Sequence, residues 1–154
     1  MKEWYNLSMA LNRKKDIYKG ISIVEGDIVV FWHKNKGLTP IRHPFIVIEV
    51  NQKGFKALQI TSVKYDEHDN LKLSYYQEQL VRNDNFVQVD ERNGFKYHSL
   101  VICDTYYFIK WGKDKYELSK KGHIKPSSKL LEIQAKFYGY KKHIPAFLSK
   151  LPII

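Results

Sequence analysis

The sequence predicts a small, mainly β domain: a strongly bent sheet or half-barrel of roughly five to seven short strands, backed by one late helix. Three observations predict it. Runs rich in Val, Ile and aromatic residues recur between turn formers, as in Asp27–Phe31, Phe45–Val50 and Phe55–Thr61. Eleven tyrosines and eight phenylalanines favour sheet. One late segment, around Leu130, Ile133 and Phe137, repeats its apolar residues at helical spacing. A chain of 154 residues has room for one core and one or two appendages.

Met1–Tyr18 places Trp4, Leu7 and Leu11 on one helical stripe, followed by a polar end, Asn12 to Lys15. Residues 1–24 read as an N-terminal arm or short helix and residues 25–154 as the single domain. Asn51-Gln52-Lys53-Gly54 is short and turn-forming enough to join the second and third strands as a hairpin. Ser62–Leu80 is polar, with Leu71, Leu73 and Tyr75 alternating as an edge strand. Phe86–Val89 is a short strand and Asn93-Gly94 a turn. His98–Cys103 is a further strand, continued after Asp104 by the aromatic run Tyr106–Trp111. Gly122–Pro126 is a break. Ser127 or Ser128 caps the late helix, Gly139 ends it, and the tail carries an apolar patch, Phe147–Ile154.

Lys and Arg number 26 against 16 Asp and Glu, a net charge of +10. That excess draws a small domain to a polyanion, nucleic acid first and an acidic protein second. On this basis the N-terminal arm either lies against the core or reaches out as a basic arm on RNA. Cys103 is the one cysteine, which excludes an intramolecular disulfide, and its apolar neighbours Val101 and Ile102 mark it as a buried filler. There is no secretory-type apolar run at the N-terminus and no stretch near the ~20 apolar residues that cross a bilayer. A soluble cytoplasmic protein without a membrane partner is expected. Phosphate-cradling glycine loops, HExxH, paired CxxC and GxSxG motifs are absent, and the six histidines lack metal-ligand spacing. No metal and no cofactor are expected.

What remains suits metal-free RNA chemistry. Such cleavage uses the neighbouring 2′-hydroxyl as nucleophile. The enzyme must take its proton, offset charge growing on the phosphate, and protonate the departing 5′-oxygen. Arginine suits the second task, because its planar fork donates two hydrogen bonds to phosphate and keeps its charge. Histidine suits the first or third. A threonine hydroxyl can bind a phosphate oxygen or orient the 2′-hydroxyl. Arg42, His43 and Thr61 offer this set, provided that the ends of their strands converge.

The order of features adds to this. Gly26-Asp27 opens an apolar strand, a loop ends in a basic residue plus Pro44, FIVIEV follows, and the next strand closes in Ile60-Thr61-Ser62. Phe86–Val89, Asn93-Gly94-Phe95, Ser99 to Asp104, Tyr107-Phe108-Ile109, Glu117-Leu118 and a C-terminal helix come after. From about Glu25 to Tyr138 this order resembles the MazF/PemK/Kid family of toxin ribonucleases. The resemblance implies an SH3-like barrel, a homodimer, and a toxin of a toxin–antitoxin system. It also implies cleavage of single-stranded RNA to 2′,3′-cyclic phosphate and 5′-hydroxyl ends. The antitoxin is a protein or, as in ToxN-like relatives of the fold, an RNA. Thr61 matches the threonine that ends the family's later strand. In the family an arginine immediately precedes the proline, whereas His43 holds that slot here and Arg42 stands one place earlier. Either Arg42 reaches the phosphate from a shifted loop while His43 adds acid–base capacity, or the site is crippled. Lys34 and Lys36 would form a basic lip over the RNA, with Ser62 and Lys64 on the opposite wall.

Two other classes fit the same residues. One is a related-fold toxin that binds a protein target, as the gyrase-poisoning CcdB relatives do, and needs neither Arg42 nor Thr61. The other is a plain SH3-like nucleic-acid-binding module, in which the positive charge supplies affinity and nothing is cut.

Overall fold

The computed structural model describes residues 17–18, 21–33, 39–41, 43–112, 116–140 and 144–146. Arg42, Lys34, Lys36, residues 1–16 of the N-terminal arm and the apolar tail 147–154 lie outside the described residues. Within the described residues the chain is mainly β with two α-helices. Its strands are β1 (Ile17–Tyr18), β2 (Ile21–Ser22), β3 (Asp27–His33), β4 (Thr39–Pro40), β5 (Phe45–Val50), β6 (Gly54–Ser62), β7 (Lys64–Tyr65), β8 (Leu71–Lys72), β9 (Phe86–Val89), β10 (Ser99–Ile102), β11 (Thr105–Lys110), β12 (Tyr116–His123) and β13 (Ile144–Ala146). The helices are α1 (Tyr75–Arg82) and α2 (Ser127–Gly139).

The main sheet runs β12-β3-β5-β6-β10-β9, with β4 on β3 and β11 on β6. Its ladders are antiparallel except β11–β13, which is parallel. Among the described residues no ladder joins β12 to β9, so the path is open. The organising strand is β6. One edge pairs with β5 and the other takes β11 on its first half and β10 on its second. His98–Cys103 and the aromatic run after it thus follow one edge in turn, with a slip of register across Cys103–Asp104.

Both faces of β6 are buried, and period-two alternation sends its side chains into two cores. Phe55 and Ala57 join Phe31, Phe45 and Tyr107 in the first. Phe31 packs edge-on to Phe45 at 5.3 Å and stacks on Phe55 at 6.3 Å, the offset and T-shaped geometries that aromatic quadrupoles favour. Leu58 and Ile60 join Ile46, Val101, Ile133 and Phe137 in the second, which α2 covers. Cys103 is buried there, and desolvation pushes its thiol up to about 12, as befits an inert filler.

Two polar devices pin the ends of this arrangement. Asn51 Oδ1 accepts from the backbone N–H groups of Lys53 and Gly54, closing the β5–β6 hairpin. Asp27, 2% exposed, accepts from Val24 N–H and meets Lys120 Nζ at 3.2 Å and His123 Nδ1 at 3.0 Å. A carboxylate buried this deeply needs such partners, and they lock β3 to β12.

Three expectations are corrected. Leu71, Leu73 and Tyr75 do not form an edge strand: only Leu71–Lys72 pairs, with β7, and helix α1 starts at Tyr75. The reason is a capping box, in which Ser74 Oγ accepts from Gln77 N–H and Gln77 Oε1 accepts from Ser74 N–H. At α2 the N-cap is Pro126, with no side-chain cap bond, so neither Ser127 nor Ser128 serves as the cap. The break expected from Gly122 begins only at Ile124, because Gly122 and His123 stay paired to β3 through a register shift. Among the described residues no helix is long and apolar enough to cross a membrane.

Gly54 lies against β11, opposite Lys110, and a Cβ there would collide with the Ile109 carbonyl oxygen. Gly54→Ala should lower unfolding free energy by more than about 2 kcal/mol, among the larger single-site effects. Urea denaturation checks this, and near-wild-type stability would show that the two strands can separate at little cost.

Candidate functional site

The first core ends before β6 does. Gln59 and Thr61 continue the face that carries Phe55 and Ala57; the β5 edge ends at Phe45, Leu100 of β10 stands opposite Thr61 on the other edge, and these two polar residues form the floor of a cleft. Pairing sets what lies beside them. Phe45 is opposite Gln59, and Ile60 N–H donates to the Pro44 carbonyl at 2.9 Å, so the ladder continues one step past β5. His43 and Pro44 therefore come to the same cleft as Thr61, which the sequence required of them. The cleft has a volume of about 1070 Å³, at the upper end for small-molecule pockets.

His43 is half-buried and adopts a φ of 132°, in the region that favours glycine. The chain on either side explains how it is held. Ile41 N–H donates to the Phe31 carbonyl at 2.8 Å, and the Pro44 carbonyl is taken by Ile60. Strain of this kind, on the order of 1–3 kcal/mol, persists only where the surroundings over-determine it.

The walls come from the polar stretch after β6. Helix α1 contributes Tyr76 and Gln77; β7 and β8 contribute Lys64, Tyr65 and Lys72; Ser62 stands at the rim. Ser62 and Lys64 thus both line the cleft. Asp66 also faces it, although one of its oxygens accepts from the backbone N–H groups of His68 and Asn70 and so holds the loop between β7 and β8. The lip expected from Lys34 and Lys36, and the guanidinium of Arg42, fall outside the described residues.

The floor is tied down by groups the sequence reading missed. Gln77 is 4% exposed, and its Nε2 donates to Thr61 Oγ1 at 3.0 Å and to the Ser62 carbonyl at 2.9 Å. The Tyr107 hydroxyl donates to Gln59 Oε1 at 3.0 Å. Ser74-x-x-Gln77 carried the signal for the first, as a capping box. Nothing local could signal the second, since the partners are 48 residues apart. Burial, and after it the nearby Tyr76, pushes the Tyr107 hydroxyl up to about 12, so it stays a donor at neutral pH. Burial and then Asp104 raise Tyr76 as well. Among the described residues no cluster of His, Cys, Asp or Glu could hold a metal ion. The floor offers hydroxyl and amide groups, and the walls carry two lysines, Lys64 and Lys72, beside two carboxylates, Asp66 and Glu67.

No protein-family model, curated protein or solved structure matches this chain.

The raised Tyr107 hydroxyl has a consequence for stability. The unfolded chain loses this proton near its ordinary value of about 10, whereas the folded protein holds it to about 12. The stabilisation is thus complete below about pH 10 and should be lost as pH rises through about 12. Denaturation midpoints across this range should fall less steeply for Tyr107→Phe than for the wild type. Parallel falls would assign the alkaline loss to other groups.

Proposed function

We propose that this protein is a metal-independent endoribonuclease of the MazF/PemK/Kid type, the toxin of a toxin–antitoxin pair. The observation that carries the reading is that His43–Pro44 and Thr61, 17 positions apart for the Pro44–Thr61 pair, line one cleft. That Phe31, Phe45, Phe55, Tyr107 and Leu118, from five strands of one sheet, gather in a single core supports an SH3-like barrel as the fold, with the open path between β12 and β9 as its gap.

In this reading a single-stranded RNA lies along the cleft, drawn by the net charge of +10. Arg42 donates hydrogen bonds to the scissile phosphate, and Thr61 either binds a phosphate oxygen or orients the 2′-hydroxyl. The 2′-oxygen bonds to phosphorus as the bond to the 5′-oxygen breaks, which leaves a 2′,3′-cyclic phosphate and a 5′-hydroxyl. Arginine keeps its proton, so His43 takes one of the two proton-transfer posts, at the 2′-hydroxyl or the 5′-oxygen, and solvent water serves the other. Ser62, Lys64, Lys34 and Lys36 flank the strand. Cytoplasmic RNA is the substrate, a homodimer the active form, and a protein or RNA antitoxin the inhibitor.

A second reading, binding without cleavage, is favoured by the exposed rings of Tyr65 and Tyr76 at the cleft, on which bases can stack. One assay separates the two. Purified protein in EDTA should cut single-stranded but not duplex RNA and leave cyclic phosphate ends. Thr61→Val and Arg42→Ala should each lower kcat about 10²-fold or more, the loss typical of an oxyanion donor. His43→Ala should cost at least roughly 10²-fold, as for a general acid or base. RNA that is bound and stays intact would leave only the second reading standing.

A further inference from the structure

The Gln77 side chain has only one way to lie. The backbone N–H of Ser74 can meet only an acceptor, so the amide oxygen must be the atom 2.9 Å from it. The amide nitrogen is then turned to β6, where it faces the Ser62 carbonyl at 2.9 Å and Thr61 Oγ1 at 3.0 Å. The carbonyl can only accept. The two amide hydrogens therefore meet two acceptors, and one of these is the threonine hydroxyl oxygen. A hydroxyl has a single hydrogen. With an amide N–H already on its oxygen, the hydrogen of Thr61 is not used towards Gln77 and is left for the cleft, whose floor Thr61 forms.

We infer that Gln77 is a positioning residue that makes Thr61 a hydrogen-bond donor to an oxyanion in the cleft, a non-bridging phosphate oxygen, and not the acceptor of the 2′-hydroxyl proton. This decides between the two tasks open to the threonine and leaves proton removal to another group. The anion's identity as an RNA phosphodiester rests on the nuclease reading, whereas the direction of the hydroxyl does not. Both amide hydrogens of Gln77 are engaged within the protein, so it acts on the anion through Thr61. Its burial at 4% exposure holds it in place, and the capping box makes the first turn of α1 part of the same lock.

The test uses an RNA oligonucleotide with oxygen, or sulfur in either stereochemistry, at the non-bridging positions of the cleaved linkage. Sulfur is a poor acceptor, so in the wild type one diastereomer should be cut markedly more slowly. Gln77→Met should slow cleavage of the oxygen substrate by roughly 10–100-fold, the range seen when an outer-shell partner of a functional ligand is removed. It should also abolish most of the sulfur penalty, as should Thr61→Val. Gln77→Glu, which can still accept from Ser74 N–H but draws the Thr61 hydrogen inward, should do the same and stands in if the methionine variant does not fold. A slowed variant with the full sulfur penalty would make Gln77 a structural staple only and overturn the inference.

A second arm does not need cleavage. Inorganic phosphate is titrated against the Thr61 methyl signal by NMR. The wild type should respond saturably, and Gln77→Met should need about tenfold or more phosphate for the same response. If the wild type leaves RNA intact, the nuclease reading falls and this arm alone judges the inference. Equal responses in the two proteins, or none in the wild type, would overturn it.

Discussion

The constraint on which this fold depends is that β6 is buried on both faces and paired along both edges over most of its length. Its edges are taken by β5 on one side and by β11 and β10 on the other. Its faces feed two separate cores. A strand so placed cannot shift by one residue, because every side chain would exchange cores. Gly54, whose missing side chain leaves room for the Ile109 carbonyl, fixes where the strand begins, and Asn51 fixes the turn before it. The position of Thr61 follows from this register. Seven residues on from Gly54, it falls on the face of the first core but past its last phenylalanine, where a polar group meets a cleft and not packed carbon.

That placement has an energetic consequence. Thr61 is 8% exposed, and a hydroxyl so far withdrawn from water costs roughly 1–3 kcal/mol if left without a partner. Gln77 supplies the partner, but brings its own buried amide, which needs acceptors and a donor in turn. Ser74 N–H, the Ser62 carbonyl and Thr61 Oγ1 complete it. The helix cap and the cleft floor are thus one hydrogen-bonded unit. Tyr107 and Gln59 make a second unit, whose apolar end lies in the first core through the 5.1 Å ring contact of Tyr107 with Phe45. Both polar residues of the floor are held by groups rooted in packed structure, so the site is oriented before any ligand arrives.

How much of this was legible in the sequence depends on the range over which each feature is determined. Asp27–Phe31, Phe45–Val50 and Phe55–Thr61 read as strands because β-branched and aromatic runs between turn formers are local signals, and Leu130, Ile133 and Phe137 betray a helix in the same way. Helix α1 was hidden. It is eight residues long and buries only Gln77 and Leu80, so its apolar period is too short to read, while Leu71, Leu73 and Tyr75 imitate the alternation of a strand. The cap that decides the matter, Ser74 with Gln77, was present but looks like any polar loop. The meeting of His43–Pro44 with Thr61 was a condition that the sequence set and could not decide, because it depends on how β5 pairs with β6. The groups that hold the floor were not legible, since Gln77 and Tyr107 act across 16 and 48 residues.

The cleft therefore divides into parts of different character. Its floor belongs to β6, whose register is locked from four sides. Its mouth is held at His43, in a backbone conformation that costs energy and is kept by one bond to β3 on the near side and one to β6 on the far side. Its outer wall is the β7–β8 pair, two residues per strand, with Lys72 and the half-exposed ring of Tyr65. Groups that must meet a reacting atom within a few tenths of an ångström gain from the first two, because a lattice of distant contacts fixes them. Groups on the third sit where little packing is lost if side chains change. Changes in Tyr65 or Lys72 can alter what the cleft accepts without disturbing β6, whereas a change that loosens Gln77 alters the floor itself.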